Sequence, residues 1–187
     1  FSSNKWHLTV DASGSIPVRS EDNKARIGME DLNWVGELGP SLEFYLIGNS
    51  KKPNKAYLDF SIRKAVSSDF KSFDDVGWTS ELALKRREEW HSDLLDGQIT
   101  LSTVFSIRGV TSKYSDYYYG VSEEFVTDNR AFYQGDSGYA GAKISIGATW
   151  RKKNLWVGAF TRYTNIENSI FDDSPLVKTN HALLAGI

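Results

Sequence analysis

Apolar and polar residues alternate with a period of two along most of this chain. In the clearest run, Ile144 and Ile146 lie on one side, while Lys143, Ser145 and Arg151 lie on the other. A period of two places successive side chains on opposite faces of a β-strand, whereas an amphipathic helix repeats every 3.6 residues. Strands with one polar and one apolar face are typical of antiparallel sheets, so we predict an all-β, antiparallel fold.

The segments between the alternating runs differ in length in a regular way. Long and short segments follow one another in the order 17–31, 48–55, 66–76, 88–96, 111–139, 152–154 and 166–180. Membrane barrels alternate long outer loops with short periplasmic turns, so the pattern predicts eight up-and-down strands. The count takes residues 32–47 as one tall strand. Because proline is unwelcome inside a paired strand, a turn at Gly39 and Pro40 would instead give nine strands.

Only residues 81–95 have a pattern that a helix could also produce. The charges in this segment, at residues 85–89, suit a strand that rises into a charged turn equally well. We predict a strand here.

Strands of this kind fit either a water-soluble barrel or a barrel in a bilayer. In the soluble form the apolar faces would turn inward, and in the membrane form they would face lipid while charges line a wet interior. Aromatic residues near the strand ends favour the membrane form, since Trp and Tyr mark membrane interfaces: Trp6, Trp34, Trp78, Trp150, Trp156 and Tyr163. We therefore predict a transmembrane β-barrel, with Phe105, Ile144 and Ile146 facing outward and Lys143 and Arg151 inward.

Composition excludes several function classes. The formal net charge of -2 gives no basic excess, so we expect no nucleic-acid partner. The chain has no cysteine, which excludes disulfides, thiolate metal sites and a cysteine nucleophile. His7, His91 and His181 lie in separate segments without the spacing of a zinc site. Since no nucleophile elbow or phosphate-binding glycine loop occurs either, we expect no catalytic residues, no metal and no cofactor.

Two of the long segments contain distinctive motifs. Segment 111–139 holds Tyr118, Tyr119, Gly120, Val121 and Ser122, followed by Tyr133, and segment 166–180 holds Asp173, Ser174, Pro175, Leu176 and Val177. With these motifs in order, and with Arg63 and Asp69 upstream, the sequence resembles the MipA/OmpV family of outer-membrane proteins. The resemblance spans essentially the whole chain.

The resemblance implies a location and a role. The location is the outer membrane of a Gram-negative cell, in contact with lipid and lipopolysaccharide. The role is that of a non-enzymatic scaffold that links a murein transglycosylase and a penicillin-binding protein to the membrane. Two other roles stay open, namely a pore for small solutes and a surface adhesin or receptor.

The ends of the chain suggest a fragment. The sequence starts at Phe1 without an initiator Met and stops at Ile187. Members of the family start further upstream and finish on a strand with a terminal aromatic residue. We therefore expect residues 1–187 to be one incomplete barrel domain from a complete barrel of about ten strands.

The motif residues have structural and functional interpretations. We interpret residues 117–119, three consecutive tyrosines, as an interfacial aromatic belt, with a ligand-stacking platform as the alternative. Pro175 after Ser174 predicts a turn with side-chain caps, or a partner-docking loop. Arg63 is expected to pair with an interior carboxylate such as Glu81. The acidic doublets are expected to be solvated loop charge, with a divalent cation near lipopolysaccharide as the alternative: Asp74–Asp75, Glu123–Glu124 and Asp172–Asp173.

Overall fold

The computed structural model describes residues 5–187, so the predicted chain start at Phe1 lies outside the described residues. Eight antiparallel strands form one sheet in chain order: β1 Trp6–Ser15, β2 Trp34–Ile47, β3 Lys55–Ser68, β4 Phe73–Ser92, β5 Gly97–Val110, β6 Gly138–Lys152, β7 Leu155–Asn165 and β8 His181–Gly186. Among the described residues, one α-helix, α1 (Ser112–Tyr119), follows β5, and short 3₁₀ turns occupy Ser20–Asp22 and Glu123–Phe125. The predicted all-β antiparallel fold is confirmed. Within residues 5–187, β1 pairs only with β2 and β8 only with β7, so the sheet is open between them.

Strand β2 runs without a turn through Gly39 and Pro40, as predicted. Pro40 lies opposite Val10 of β1, while the pairing with β3 skips from Leu38 to Ser41. Proline is tolerated because the ladder to β3 is interrupted at this point. A Cβ atom at Gly39 would lie 1.9 Å from the Ile62 carbonyl oxygen, so the close approach of β3 requires glycine here.

Strand β4 covers most of the ambiguous segment 81–95, which is therefore a strand and not a helix. The predicted long segment 66–76 is wrong, because pairing between β3 and β4 continues to Ser68 opposite Phe73. Only residues 69–72 connect these strands. The Asp69 carboxylate accepts hydrogen bonds from the Lys71 and Ser72 amides at 2.8 and 2.7 Å, which closes the turn in four residues.

The two faces of the sheet have opposite chemistry. On the apolar face, Ile144 and Ile146 are 42% and 43% exposed, while Arg63 and Glu37 on the polar face are both 6% exposed. Polar side chains of non-adjacent strands meet, so the sheet curls with its polar face inside. The predicted sidedness is confirmed for Phe105, Ile144, Ile146 and Lys143, whereas Arg151 is exposed near the end of β6.

Three long connections, residues 16–33, 111–137 and 166–180, fold together over one end of the sheet, and we call them the cap. The buried apolar cluster lies at this end and draws on strands and cap alike: Val35, Ala65, Val76, Val110, Tyr114, Ala140 and Phe171. The other end has the short connections 48–54, 93–96 and 153–154. Among residues 5–187, no helix has the length and apolar character needed to cross a membrane.

Candidate functional site

Arg63 on β3 contacts three carboxylates on the concave face. Its Nη1 atom lies 2.5 Å from Asp11 Oδ2 on β1, its Nη2 atom 3.0 Å from Glu81 Oε2 on β4, and its Nε atom 3.3 Å from Glu37 Oε2 on β2. The predicted pairing with Glu81 is confirmed. A buried charge is stable only when it is paired, so this one guanidinium holds four strands in a fixed relation.

Glu37 is a second centre of the same network. In addition to its ion pair with Arg63, its carboxylate accepts hydrogen bonds from Arg108 Nη2 at 2.7 Å, Thr79 Oγ1 at 3.0 Å and the Tyr114 hydroxyl at 3.1 Å. Tyr114 belongs to α1, so Glu37 joins the cap to the sheet. Charge-assisted hydrogen bonds of this kind are stronger than neutral ones. Paired charges therefore account for much of the stabilising contact on the concave face.

The network continues toward the end with the short connections. Lys143 Nζ lies 3.2 Å from Glu81 Oε1, and Asp59 pairs with Lys85 and accepts the Ser41 hydroxyl. Ion pairs thus follow the concave face over much of its height.

The tyrosines of α1 do not form an interfacial belt, and that interpretation was wrong. The Tyr119 ring stacks on Phe171 with centroids 3.9 Å apart, and the Tyr118 hydroxyl lies 2.8 Å from Ser15 Oγ. The Tyr117 hydroxyl accepts the Asn33 amide at 2.9 Å. The segment is helical rather than extended, so the rings pack against other cap residues and against the end of β1.

Two arginines bind the loops of the cap to one another. Arg130 Nη1 donates to the carbonyl oxygens of Ala25 and Ile27, at 3.2 and 3.0 Å. Arg26 Nη1 donates to the Tyr118 carbonyl oxygen at 3.2 Å. Sequence reasoning missed both residues, because contacts between distant loops leave no periodic signal in the chain.

The segment after α1 is fixed by close packing. A Cβ atom at Gly120 would lie 2.5 Å from the Asp116 carbonyl oxygen, which excludes larger residues. Val121 is fully buried and pairs with Tyr133 in a short bridge, while Ser122 is exposed. The Tyr133 hydroxyl donates to the Ile170 carbonyl oxygen at 2.6 Å. Burial, with the nearby Asp173 carboxylate, raises the pKa of Tyr133 to about 12.

The second motif forms a turn, as predicted. The Val177 amide donates to the Ser174 carbonyl oxygen at 2.9 Å, with Pro175 and Leu176 between them. The Ser174 hydroxyl is buried; it accepts the Leu176 amide at 3.3 Å and donates to the Tyr119 carbonyl oxygen at 2.8 Å. The turn is therefore attached to the end of α1.

The structure brings most of the predicted motif residues together in the cap: Tyr118, Tyr119, Gly120, Val121, Ser122, Tyr133, Asp173, Ser174, Pro175, Leu176 and Val177. Arg63 lies on the concave face of the sheet, and Asp69 bonds within its own turn. Glu37 was also missed, although its place among the inward residues of β2 marks it as an interior charge.

The acidic doublets show no metal site in the part of the chain that the structure describes. No three His, Asp or Glu side chains are grouped closely enough there to hold an ion. Asp75 instead pairs with Lys64 and with Lys113. The contacts of the site are therefore structural. Ion pairs neutralise the charges on the concave face, and hydrogen bonds hold the cap connections together above them.

Comparison with known proteins gives a single result. The family model described as MltA-interacting protein MipA matches residues 1–187. No curated protein and no solved structure matches the chain. Because the family model covers the whole sequence, the chain belongs to the MipA family.

Proposed function

We propose that this protein forms a transmembrane β-barrel in the outer membrane of a Gram-negative cell and serves there as a scaffold for murein enzymes. The observation that carries the proposal is the inverted distribution of its side chains. Aliphatic residues cover the convex face, and ion pairs occupy the concave face. A water-soluble sheet protein has the reverse arrangement.

The convex face exposes more apolar area than is usual for a protein surrounded by water. Outward residues of neighbouring strands form one continuous band, whose members on β1 to β5 include Leu8, Val10, Leu38, Leu42, Leu58, Phe60, Ile62, Leu82, Leu84, Phe105 and Ile107. Soluble monomers rarely expose apolar patches beyond a few hundred Å². Lipid removes the cost of exposing this band, which is roughly 25 cal/mol per Å² in water.

The end with the short connections offers the docking surface, since such turns face the periplasm in outer-membrane barrels. We call this surface the basic rim. Its cations outnumber its carboxylates by two to one: Lys51, Lys52, Lys55, Arg86, Arg87, Arg151, Lys152 and Lys153 against Glu88, Glu89, Asp93 and Asp96. A partner with an acidic surface would be attracted and oriented there.

The β4–β5 hairpin increases the area of the basic rim. β4 extends to Ser92, whereas its neighbour β3 pairs with β4 only as far as Lys55 opposite Arg87. Five residues of β4 thus project beyond β3, or about 16 Å at ~3.3 Å per residue. This projection helps to reach the roughly 800 Å² that each partner contributes to a standard interface.

The pore alternative has less support. Ion pairs such as Arg108 with Glu37 bridge the concave face, and the cap covers one end. A cavity of about 350 Å³ remains below the cap, between Arg108, Lys143 and Arg162.

The adhesin alternative would use the outer surface of the cap. Deleting residues 166–180 would test it poorly, because Phe171 and Ser174 are structural.

Gel mobility, retention of partner enzymes and conductance test the proposal. Protein folded in detergent should migrate faster on a gel when it is not boiled, and identical bands would contradict a barrel.

Immobilised protein should retain purified murein transglycosylase and penicillin-binding protein. The double variant Arg86→Glu, Arg87→Glu should weaken retention at least tenfold, whereas Lys24→Glu, Lys178→Glu in the cap should not. Equal retention by both variants, or none by the parent protein, would exclude the docking role of the basic rim. Conductance of the reconstituted protein in planar bilayers would favour the pore instead.

A further inference from the structure

The cap contains a cavity of about 480 Å³. It lies between the β1–β2 connection and the segment that follows α1, and several family-motif residues line it, among them Gly120, Val121, Ser122 and Tyr133. Its volume falls within the ~300–1,000 Å³ that is typical of small-molecule sites. The scaffold role makes no use of this cavity.

Aromatic and aliphatic side chains form much of the wall. Four aromatic residues contribute, namely Tyr117, Phe125, Phe132 and Tyr133, together with Met29 and Leu32. Phe132 is 55% exposed although it is strongly apolar, so it lies at the open side of the cavity. An apolar or aromatic ligand body would bury this surface.

The charged groups of the cavity are mostly carboxylates. Glu30, Asp31 and Asp116 line it, with Arg26 as the single cation. The Arg26 guanidinium is buried, and its Nη1 and Nη2 atoms donate to the carbonyl oxygens of Tyr118 and Glu30, so backbone oxygens rather than these carboxylates accept its hydrogen bonds. Within residues 5–187, the Glu30 carboxylate has no hydrogen bond or ion pair.

The whole cap shares this acidic character. Its three connections carry 12 carboxylates and 6 cations, whereas the complete chain has a net charge of only -2. The cavity therefore lies in a negative field, and such a field raises the local concentration of cations and their rate of association.

We infer that the cap cavity binds a small organic cation, in which an ammonium group is carried on an apolar or aromatic body. The aromatic residues of the wall would attract a cation and pack against its body, since aromatic faces carry negative charge density. Glu30 supplies an unpaired carboxylate for the ammonium group. The site is independent of the basic rim, because it lies at the opposite end of the sheet.

Tryptamine and N-acetyltryptamine are suitable probes. They share an indole body, but only tryptamine carries an ammonium group. In isothermal titration calorimetry on the detergent-folded full chain, with micelles alone as a blank, tryptamine should bind at least tenfold more tightly than its neutral analogue. Raising salt from about 50 to about 500 mM should weaken tryptamine binding selectively, because salt screens the negative field.

Matched variants locate the site. Glu30→Gln should weaken tryptamine binding about fivefold or more and leave N-acetyltryptamine unchanged. Glu123→Gln makes the same charge change at an exposed residue that does not line the cavity, and it should have no effect. Phe132→Ala should weaken both probes. Equal affinity for the two probes, equal effects of the two Glu variants, or no tryptamine binding would overturn the inference.

Discussion

The Arg108 guanidinium on β5 lies 2.7 Å from the Glu37 carboxylate on β2 (Nη2 to Oε1), although two strands separate them in the sheet. In a flat sheet, three spacings of ~4.8 Å would hold these strands about 14 Å apart. The sheet must therefore curl around its polar face. The ion pairs across that face can form only because the sheet is curved, and they help to maintain the curvature.

Removing Arg63 should destabilise the sheet strongly. Arg63→Met leaves Glu37 and Glu81 without one of their cations, and breaking such a buried pair costs about 3–5 kcal/mol. Partial exposure of Asp11 places the expected loss near the lower limit of that range. Urea unfolding of the lipid-reconstituted protein, followed by tryptophan fluorescence, measures it. Arg162→Met, at an exposed residue whose guanidinium bonds, among residues 5–187, only to Ser145, should cost less than about 1 kcal/mol. Similar losses in the two variants would refute the special position of Arg63.

The Tyr119–Phe171 stack should control the stability of the cap. Phe171→Ala removes a buried ring, which costs about 3 kcal/mol or more. Because this ring joins two cap connections, we expect local opening and trypsin cleavage at Lys178 that is roughly 100-fold faster. Phe70→Ala, in the 80% exposed position of the β3–β4 turn, is the matched control and should not change the rate. Unchanged cleavage in Phe171→Ala would show that the stack does not hold the cap closed.

The cap should weaken at alkaline pH through Tyr133. Its pKa is raised to about 12, so the folded state keeps the proton longer than the unfolded chain, whose tyrosines titrate near ~10. The contribution of the neutral phenol is fully present below pH ~10 and is lost as pH rises toward ~12. Absorbance at about 295 nm, taken as the difference between the parent protein and Tyr133→Phe, follows this one group. In the folded protein the difference should titrate near pH 12, and in urea near pH 10. A folded-state midpoint near pH 10 would contradict the burial of this hydroxyl.

A charged residue on the convex face should lower the free energy of unfolding strongly in the middle of a strand and only slightly at its end. Ile146→Arg lies near the centre of β6, where arginine facing lipid at the bilayer midplane costs about 2–4 kcal/mol. Leu155→Arg lies beside the two-residue turn 153–154, where the cost falls to about 0–1 kcal/mol. Unfolding in phospholipid vesicles compares the two variants. Equal costs at both depths would argue that this face does not lie in lipid.

The sheet could be predicted from the sequence because its information is local. Alternation along β6 places Ile144 and Lys143 on opposite faces of the strand, and a register shift of one residue would exchange the faces. The aromatic residues at the strand ends then favoured the arrangement with the apolar face outward. The same reasoning identified β2 through Pro40 and the strand over most of residues 81–95. It failed at residues 66–76, since Ser and Asp pair in the ladder there without apolar alternation.

The cap could not be predicted in this way. Its contacts join residues that are far apart in the chain, such as Arg130 with Ala25 and Ser174 with Tyr119. The motifs did mark the correct segments, but α1 has no strong apolar stripe, and its tyrosines were interpreted as an interface belt. Their actual role depends on Phe171, which lies in another connection, and on Ser15, the last residue of β1.

Charge is separated along the molecule as well as between its faces. The cap is acidic and the opposite rim is basic, while the chain as a whole is nearly neutral. The two ends would therefore attract partners of opposite charge, an organic cation at the cap and an acidic protein surface at the rim.

Lipid contact of the convex face is tested most directly with nitroxide labels. The chain has no cysteine, so Ile146→Cys and Arg162→Cys each give one labelling site. Ile146 faces outward, and Arg162 bonds to Ser145 on the inner face. In vesicles, power-saturation electron paramagnetic resonance should show the label at residue 146 accessible to oxygen and shielded from a water-soluble nickel chelate, with the reverse at residue 162. A label at residue 146 that is relaxed by the nickel chelate as strongly as one at residue 162 would contradict the account.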